Sequence, residues 1–173
     1  NIFYKIEENT KIYQFIYETI NIMKHHSAKF RFIGLDLLFF CNNNSEALLN
    51  IGYLYYEGLG VEQNYLKGRE YFELSAKQNN SNALYYLGII YLNGIGVETN
   101  YLQAKEYFEL SAKRNNSNAL LGLGNLYYNG HGVEKNYSKA KEYYELSAKQ
   151  NNSDAFLKIG CLYYDGHGVQ QSY

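Results

Sequence analysis

Proline and tryptophan are missing from this chain, and cysteine occurs only twice, at Cys41 and Cys161. Two cysteines so placed make neither a disulfide framework nor a zinc-ligand pair of recognisable spacing. Net charge is nearly missing as well: Lys+Arg 16 against Asp+Glu 17 leaves −1. A nucleic-acid footprint needs a clustered excess of Lys and Arg, so no nucleic-acid partner is expected. Long apolar runs are lacking too. The nearest candidate, FRFIGLDLLFF at 30–40, carries Arg31 and Asp36 and falls short of the ~20 residues that span a bilayer. It reads as a buried helix, and no membrane span is expected. With few cysteines and no visible signal, the expected location is cytoplasmic, although the chain opens on Asn1 and leaves room for a leader ahead of it. The lack of proline and tryptophan goes with an abundance of Asn, Lys, Ile and Tyr, the skew of an AT-rich genome. The tyrosine count therefore carries no functional weight by itself.

What remains, 46% hydrophobic and 19% charged residues, is the composition of a folded chain, and it repeats. Ala47, Ala83, Ala119 and Ala155 stand 36 residues apart. At the same period come Gly52, Gly88, Gly124 and Gly160, then Tyr55, Tyr91, Tyr127 and Tyr163. Two loop glycines follow in every copy: Gly58, Gly94, Gly130 and Gly166, then Gly60, Gly96, Gly132 and Gly168. A valine closes each set, at Val61, Val97, Val133 and Val169.

Each unit divides into two helices. In the first, Ala83, Leu87, Gly88 and Tyr91 share one face, and Ser81 or Asn82 is expected to cap the start, with Asp154 a candidate in the last copy. In the second, Tyr101, Ala104, Tyr107, Phe108, Ser111 and Ala112 turn inward. Charges alternate on its outer face as Lys105, Glu109 and Lys113, repeated as Arg69, Glu73, Lys77 and as Lys141, Glu145, Lys149; this stripe reads as a solvated face. A mid-helix glycine costs about 1 kcal/mol relative to alanine, so its recurrence predicts close approach of two helix backbones, with Ala104, Ala140 or Gly68 as the small partner.

The run ALYYLGIIYLNGIGVETNYLQAKEYFELSAKRNN resembles the Sel1-like repeat (SLR) family, relatives of the tetratricopeptide repeat. The likeness rests on Ala83, Leu87, Gly88, Tyr91, Gly94, Gly96, Val97, Ala104, Tyr107 and Ala112, and it covers residues 44–173. Two departures are Asn100, where the family often has Asp, and the Asn115–Asn116 pair, where a helix-ending Gly is common. The fold implied is all-α, a right-handed α-α superhelix or solenoid of 36-residue helix-turn-helix repeats. The expected organisation is a helical cap or degenerate repeat over 1–43, full units at 47–82, 83–118 and 119–154, and a truncated fourth at 155–173. Within the cap, helices are expected over 6–24 and 29–41. Tyr173 aligns with Tyr65, Tyr101 and Tyr137, the first residues of the second helices, so the chain reads as part of something longer.

Sites for chemistry are scarce. The GLGVEQN loop at 58–64 lacks the third glycine of a dinucleotide fingerprint, follows a helix rather than a strand, and has no Gly-Lys-Ser/Thr. It reads as a hinge: the first glycine ends a helix in the left-handed region and the second permits a tight turn. His131 and His167 occupy one loop position filled earlier by Leu59 and Ile95, with no carboxylate or cysteine at ligand spacing, and read as surface histidines. His25 and His26 are adjacent and point to different sides of a helix. Cys161 has no base placed beside it. The NNS sequons at 79–81, 115–117 and 151–153 are read as helix-capping sequence rather than glycosylation sites. No catalytic residues, metal ligands or cofactors are expected.

Binding is the remaining class. Related arrays bind peptides or domains on an inner wall built from first helices. The positions there that differ between copies are Asn50, Tyr86, Gly122 and Lys158 and, three residues on, Tyr53, Ile89, Asn125 and Cys161; four further, Glu57, Asn93, Asn129 and Asp165 are all polar. Offsets of zero, three and seven fall on one helical stripe. The candidate partner contacts are therefore Asn50, Tyr53, Glu57, Tyr86, Ile89, Asn93, Asn125, Asn129, Lys158 and Asp165. Tyr53, Tyr86 and Ile89 are suited to act as anchors. A non-catalytic adaptor for a protein or peptide is the leading expectation. The alternatives are the regulatory arm of a longer enzyme, such as a kinase, and a small-molecule hydrolase, for which no nucleophile–base pair is visible.

Overall fold

The computed structural model describes residues 44–167. The helices expected over 6–24 and 29–41, and the loop glycine Gly168, lie outside that range. Among the described residues seven helices follow one another: α1 Ser45–Glu57, α2 Tyr65–Lys77, α3 Ser81–Asn93, α4 Tyr101–Ala112, α5 Ser117–Asn129, α6 Tyr137–Ala148 and α7 Ser153–Tyr164. The chain forms two compact units, divided between Ala83 and Leu84 inside α3.

Asparagine starts these helices, one residue earlier than expected. The side-chain oxygen of Asn80 accepts from the amide of Ala83 at 3.1 Å, Asn116 from Ala119 at 3.0 Å, and Asn152 from Asp154 at 3.1 Å. Ser81, Ser117 and Ser153 are already helical. The preceding asparagines, Asn79, Asn115 and Asn151, take φ of 65°, 59° and 61°. They stand in the left-handed region where a glycine commonly closes a helix, a conformation asparagine tolerates better than other side chains. So the two asparagines of each pair do different work: the first closes one helix and the second opens the next. The second helices start on Asn64, Asn100 and Asn136 in the same capping way. Asn100, the departure from the usual Asp, thus caps α4.

The loop glycines behave as expected. Gly58, Gly94, Gly130 and Gly166 have φ between 67° and 76°, and Gly60, Gly96 and Gly132 between 65° and 78°. Loop amides are committed internally: Leu59 N–H donates to Leu54 O and Asn64 N–H to Tyr55 O, repeated as His131 to Leu126 and Asn136 to Tyr127.

In the first unit, Ala47, Ile51 and Leu54 form the core, with Tyr55, Leu59, Val61 and Tyr71 against it. In the second, Ala104, Phe108, Ala119, Leu123 and Leu126 make one cluster, and Tyr127, Ala140, Tyr144 and Leu162 make another, with Val133 packed on both. The mid-helix glycines are explained chiefly by rings. A Cβ added at Gly52 would lie 2.7 Å from the ring of Phe72, one at Gly88 would lie 2.5 Å from Phe108, and one at Gly124 would fall on the ring of Tyr144. Backbone approach, the expected reason, is the smaller part; it is seen where a Cβ on Gly68 would come within 3.1 Å of Gly52 O. Gly160 on α7 has no atom within 4 Å of that position, and its helix exposes Phe156, Leu157 and Tyr164.

A buried serine ties the α1–α2 and α5–α6 hairpins shut at their open ends: Ser75 Oγ donates to Ser45 O at 2.6 Å, and Ser147 Oγ to Ser117 O at 2.7 Å. The charged stripe forms the expected pairs Arg69–Glu73, Lys105–Glu109 and Lys141–Glu145. It is not solvated only, because Lys141 Nζ also sits 4.9 Å over the ring of Tyr163 in the next repeat. Another cation, Lys139, covers Tyr127, which stacks on Tyr143.

Candidate functional site

The expected stripe is divided by burial. Asn50 is 7% exposed and offers little surface to a partner. Tyr53 is half-buried, with its hydroxyl held above the usual tyrosine range by burial and by the neighbouring Glu57 carboxylate. Glu57 itself is exposed. On α3, Tyr86 meets Tyr85 edge to face at 5.6 Å, and Ile89 packs against the second unit's core. Asp165 is exposed and accepts a long bond, 3.5 Å, from Tyr128 Oη. Burial, with Asp165 beside it, raises the pKa of Tyr128.

The other four converge. Asn93, Asn125, Asn129 and Lys158 line one open cleft of about 370 Å³ in the second unit. Asn93 and Asn129 are the last residues of α3 and α5, and both are exposed because the helix ends there and the loop turns away. Asn125, one turn back, is held by Tyr144, whose Oη donates to Asn125 Oδ1 at 2.8 Å. Lys158 reaches the same cleft from α7 and is exposed. Leu92 and the buried Leu126 supply its apolar surface. Gly122, at the stripe position occupied by Lys158 in the next copy, is small for a packing reason: a Cβ there would meet the Phe108 ring at 3.1 Å.

Tyr101 and His131 complete the lining, and neither was expected there. Tyr101 was read as inward-facing, yet it is 36% exposed and stacks flat on His131 with ring centroids 4.5 Å apart. The arrangement recurs one repeat later, where His167 stacks on Tyr137 at 4.2 Å. These are therefore contacts between successive repeats rather than chance surface histidines. A signal was available: the residue between the loop glycines is Leu, Ile, His and His, never charged or small, and the second helices begin on tyrosine throughout.

Among the described residues, no group of three or more His, Cys, Asp or Glu is placed to hold a metal ion. Cys161 is an exposed free thiol. No described helix is long and apolar enough to cross a membrane.

A family profile for the Sel1 repeat matches residues 45–80, 81–116, 117–152 and 153–173. These matches begin on Ser45, Ser81, Ser117 and Ser153, the first residues of α1, α3, α5 and α7. Among solved structures the chain is similar to the Sel1 repeat protein from Oxalobacter formigenes, at 28% identity and TM-score 0.71, over 84% of this chain and 57% of that one. It is also similar to c5321, a protective antigen present in uropathogenic Escherichia coli strains displaying an SLR fold, at 26% identity and TM-score 0.74. That likeness covers 95% of this chain and 36% of the other, so the chain spans less than two thirds of either structure. Helicobacter pylori cysteine rich protein B matches at 26% identity and TM-score 0.54, over 64% of this chain and 88% of that one. No curated protein matches the chain. Since the profile matches four successive stretches that together run from Ser45 through Tyr173, the chain belongs to the Sel1 repeat family.

Proposed function

We propose that this helical repeat chain is a non-catalytic scaffold that captures a protein or peptide on the first-helix surface of its repeats. One observation carries the reading: Asn93, Asn129 and Lys158, contributed by three successive first helices, line a single open cleft. Packing supports it. The positions that recur between copies are absorbed by cores, caps and glycine turns, whereas these three exposed side chains have no such structural duty in their own hairpins. The cleft volume lies within the range of about 300–1,000 Å³ common for ligand sites.

The test is affinity capture with the wild-type chain and an Asn93→Ala/Asn129→Ala/Lys158→Ala variant, each checked for its helical circular-dichroism signal. The expected result is loss of captured protein by a variant that is still folded. Equal capture by both would overturn the reading.

A further inference from the structure

We infer that Asn79, Asn115 and Asn151 accept N-linked glycans. The step is transfer of an oligosaccharide from a lipid-linked diphosphate donor to the side-chain amide. A bond forms between Nδ2 and the anomeric carbon, and the bond from that carbon to the diphosphate oxygen breaks. The lipid diphosphate leaves with the electron pair, and the amide gives up one proton. An acceptor of this kind marks the surface of a secreted protein, so the chain belongs on the secretory route rather than in the cytoplasm expected from composition.

The acceptor sequence is Asn-x-Ser or Asn-x-Thr with x other than proline. Asn79–Asn80–Ser81, Asn115–Asn116–Ser117 and Asn151–Asn152–Ser153 meet it. Read from sequence, these runs serve to cap helices; the structure divides the work within them. The caps are the middle residues, Asn80, Asn116 and Asn152, bonded to first-turn amides of α3, α5 and α7. The acceptors are the residues before them, and all three are exposed. Capping therefore does not account for the acceptors.

Nor does the turn ask for asparagine. It requires a left-handed residue at 79, 115 and 151, where φ is 65°, 59° and 61°, and glycine meets that need with less strain. The serine two places on is the first residue of the next helix, not its cap. At Ser117 the hairpin uses the backbone carbonyl, which receives Ser147 Oγ at 2.7 Å. Asn152 Nδ2 stands 3.5 Å from the Ser117 hydroxyl, long for an N–H···O bond. Three joints thus carry both residues that glycan transfer needs, at positions where the joint itself calls for neither.

A glycan is bulky and hydrophilic and needs an outlet to solvent. The backbone N–H of each acceptor is committed to the preceding helix: Asn79 donates to Ala76 O at 2.8 Å, Asn115 to Ala112 O at 2.9 Å and Asn151 to Ala148 O at 2.8 Å. Each exposed side chain therefore leaves from a fixed joint. In the second unit, Asn115 lies just ahead of α5 and Asn129 ends it, roughly 20 Å apart along the helix. A glycan on Asn115 is anchored at the far end of α5 from the cleft and leaves that surface open to a partner.

The experiment takes the full-length protein from its source cells, releases N-glycans with peptide-N-glycosidase in heavy-oxygen water, and maps tryptic peptides by mass spectrometry. Release converts a glycosylated asparagine into aspartate bearing heavy oxygen. The label is expected at Asn79, Asn115 and Asn151, and is expected to be missing from a control without the glycosidase. A Ser117→Ala variant expressed in the same cells should lose the label at Asn115 and keep it at Asn79 and Asn151, with its helical circular-dichroism signal unchanged. Ser117→Thr should restore it. Lack of the label at one position would overturn the assignment of that residue, and lack of it at all three would overturn the inference. A label at Asn115 that survives Ser117→Ala would also overturn it.

Discussion

Tyr144 on α6 donates its hydroxyl hydrogen to Asn125 on α5 at 2.8 Å, and this bond distinguishes the third repeat from its neighbours. The positions equivalent to Tyr144 are Phe72 and Phe108, and those equivalent to Asn125 are Tyr53 and Ile89. Tyr144 is 1% exposed, so its hydroxyl needs a partner, and Asn125 provides it. Removing the hydroxyl with Tyr144→Phe is expected to cost about 1 kcal/mol by leaving Asn125 short of a bond. The double variant Tyr144→Phe/Asn125→Ile, which recreates the second repeat's combination, is expected to recover most of that loss. Urea unfolding of the four members of the cycle checks it; a loss in the double variant equal to the sum of the two single losses would show the residues to be uncoupled.

Glycines at equivalent positions are expected to respond in opposite directions. Gly124→Ala pushes a methyl into the ring of Tyr144 and to 3.2 Å from Ala140 O. Overpacking of this sort costs about 1–3 kcal/mol and outweighs the roughly 1 kcal/mol gained in helix propensity. At Gly160 no atom is near, so only the propensity gain of about 1 kcal/mol remains. Thermal melts of the two single variants should therefore move down for Gly124→Ala and up for Gly160→Ala.

The paired asparagines can be separated by substitution. Asn115→Gly keeps the left-handed residue and is expected to be nearly neutral, whereas Asn115→Ala should cost about 1–2 kcal/mol. Asn116→Gly retains much of the cap's conformation, while Asn116→Ala loses its bond to Ala119 N and should cost about 1 kcal/mol. Denaturation midpoints of the four variants should rank in that order, Gly above Ala at both sites.

Alkaline conditions should loosen the fold. Burial pushes the hydroxyls of Tyr71, Tyr85, Tyr143 and Tyr144 above the ordinary tyrosine value. Lys105 is raised too, first by its hydrogen bond to Glu109. For both residue types a raised folded-state pKa means that the contribution is complete below the unfolded value, near 10. It is lost as pH climbs through the folded value. Stability followed by urea titration is expected to hold to roughly pH 9.5 and fall above it, with a shallower fall in Tyr144→Phe. A flat profile to pH 11 would contradict this.

The repeat and its paired helices were readable because they rest on local periodicity: Ala, Gly and Tyr recur at fixed offsets, and a left-handed glycine loop has few substitutes. The candidate stripe is uneven in burial for one reason. The stripe was drawn from variation between copies, and variation has several causes. Gly122 differs because Phe108 needs the room, Asn125 because Tyr144 has a hydroxyl, and Asn50 because it is buried. The exposed Asn93, Asn129 and Lys158 carry no such internal demand. The capping residue was missed by one position because NNSN contains several competent caps, and the choice depends on which asparagine turns left-handed first. His131 on Tyr101 joins residues of successive repeats, a contact with no trace in single-repeat periodicity.

The asparagine pairs carry a consequence for how such an array tolerates insertions and deletions. At 115–116 and 151–152 no residue is spare: one closes a helix and the next begins another. A single codon gained or lost there either removes a left-handed residue or displaces a cap. The exposed Glu134–Lys135 segment of the glycine loop is the place where added length would have somewhere to go. Length variation among arrays built this way should therefore collect in that loop, or come as whole 36-residue units, and avoid the asparagine joints.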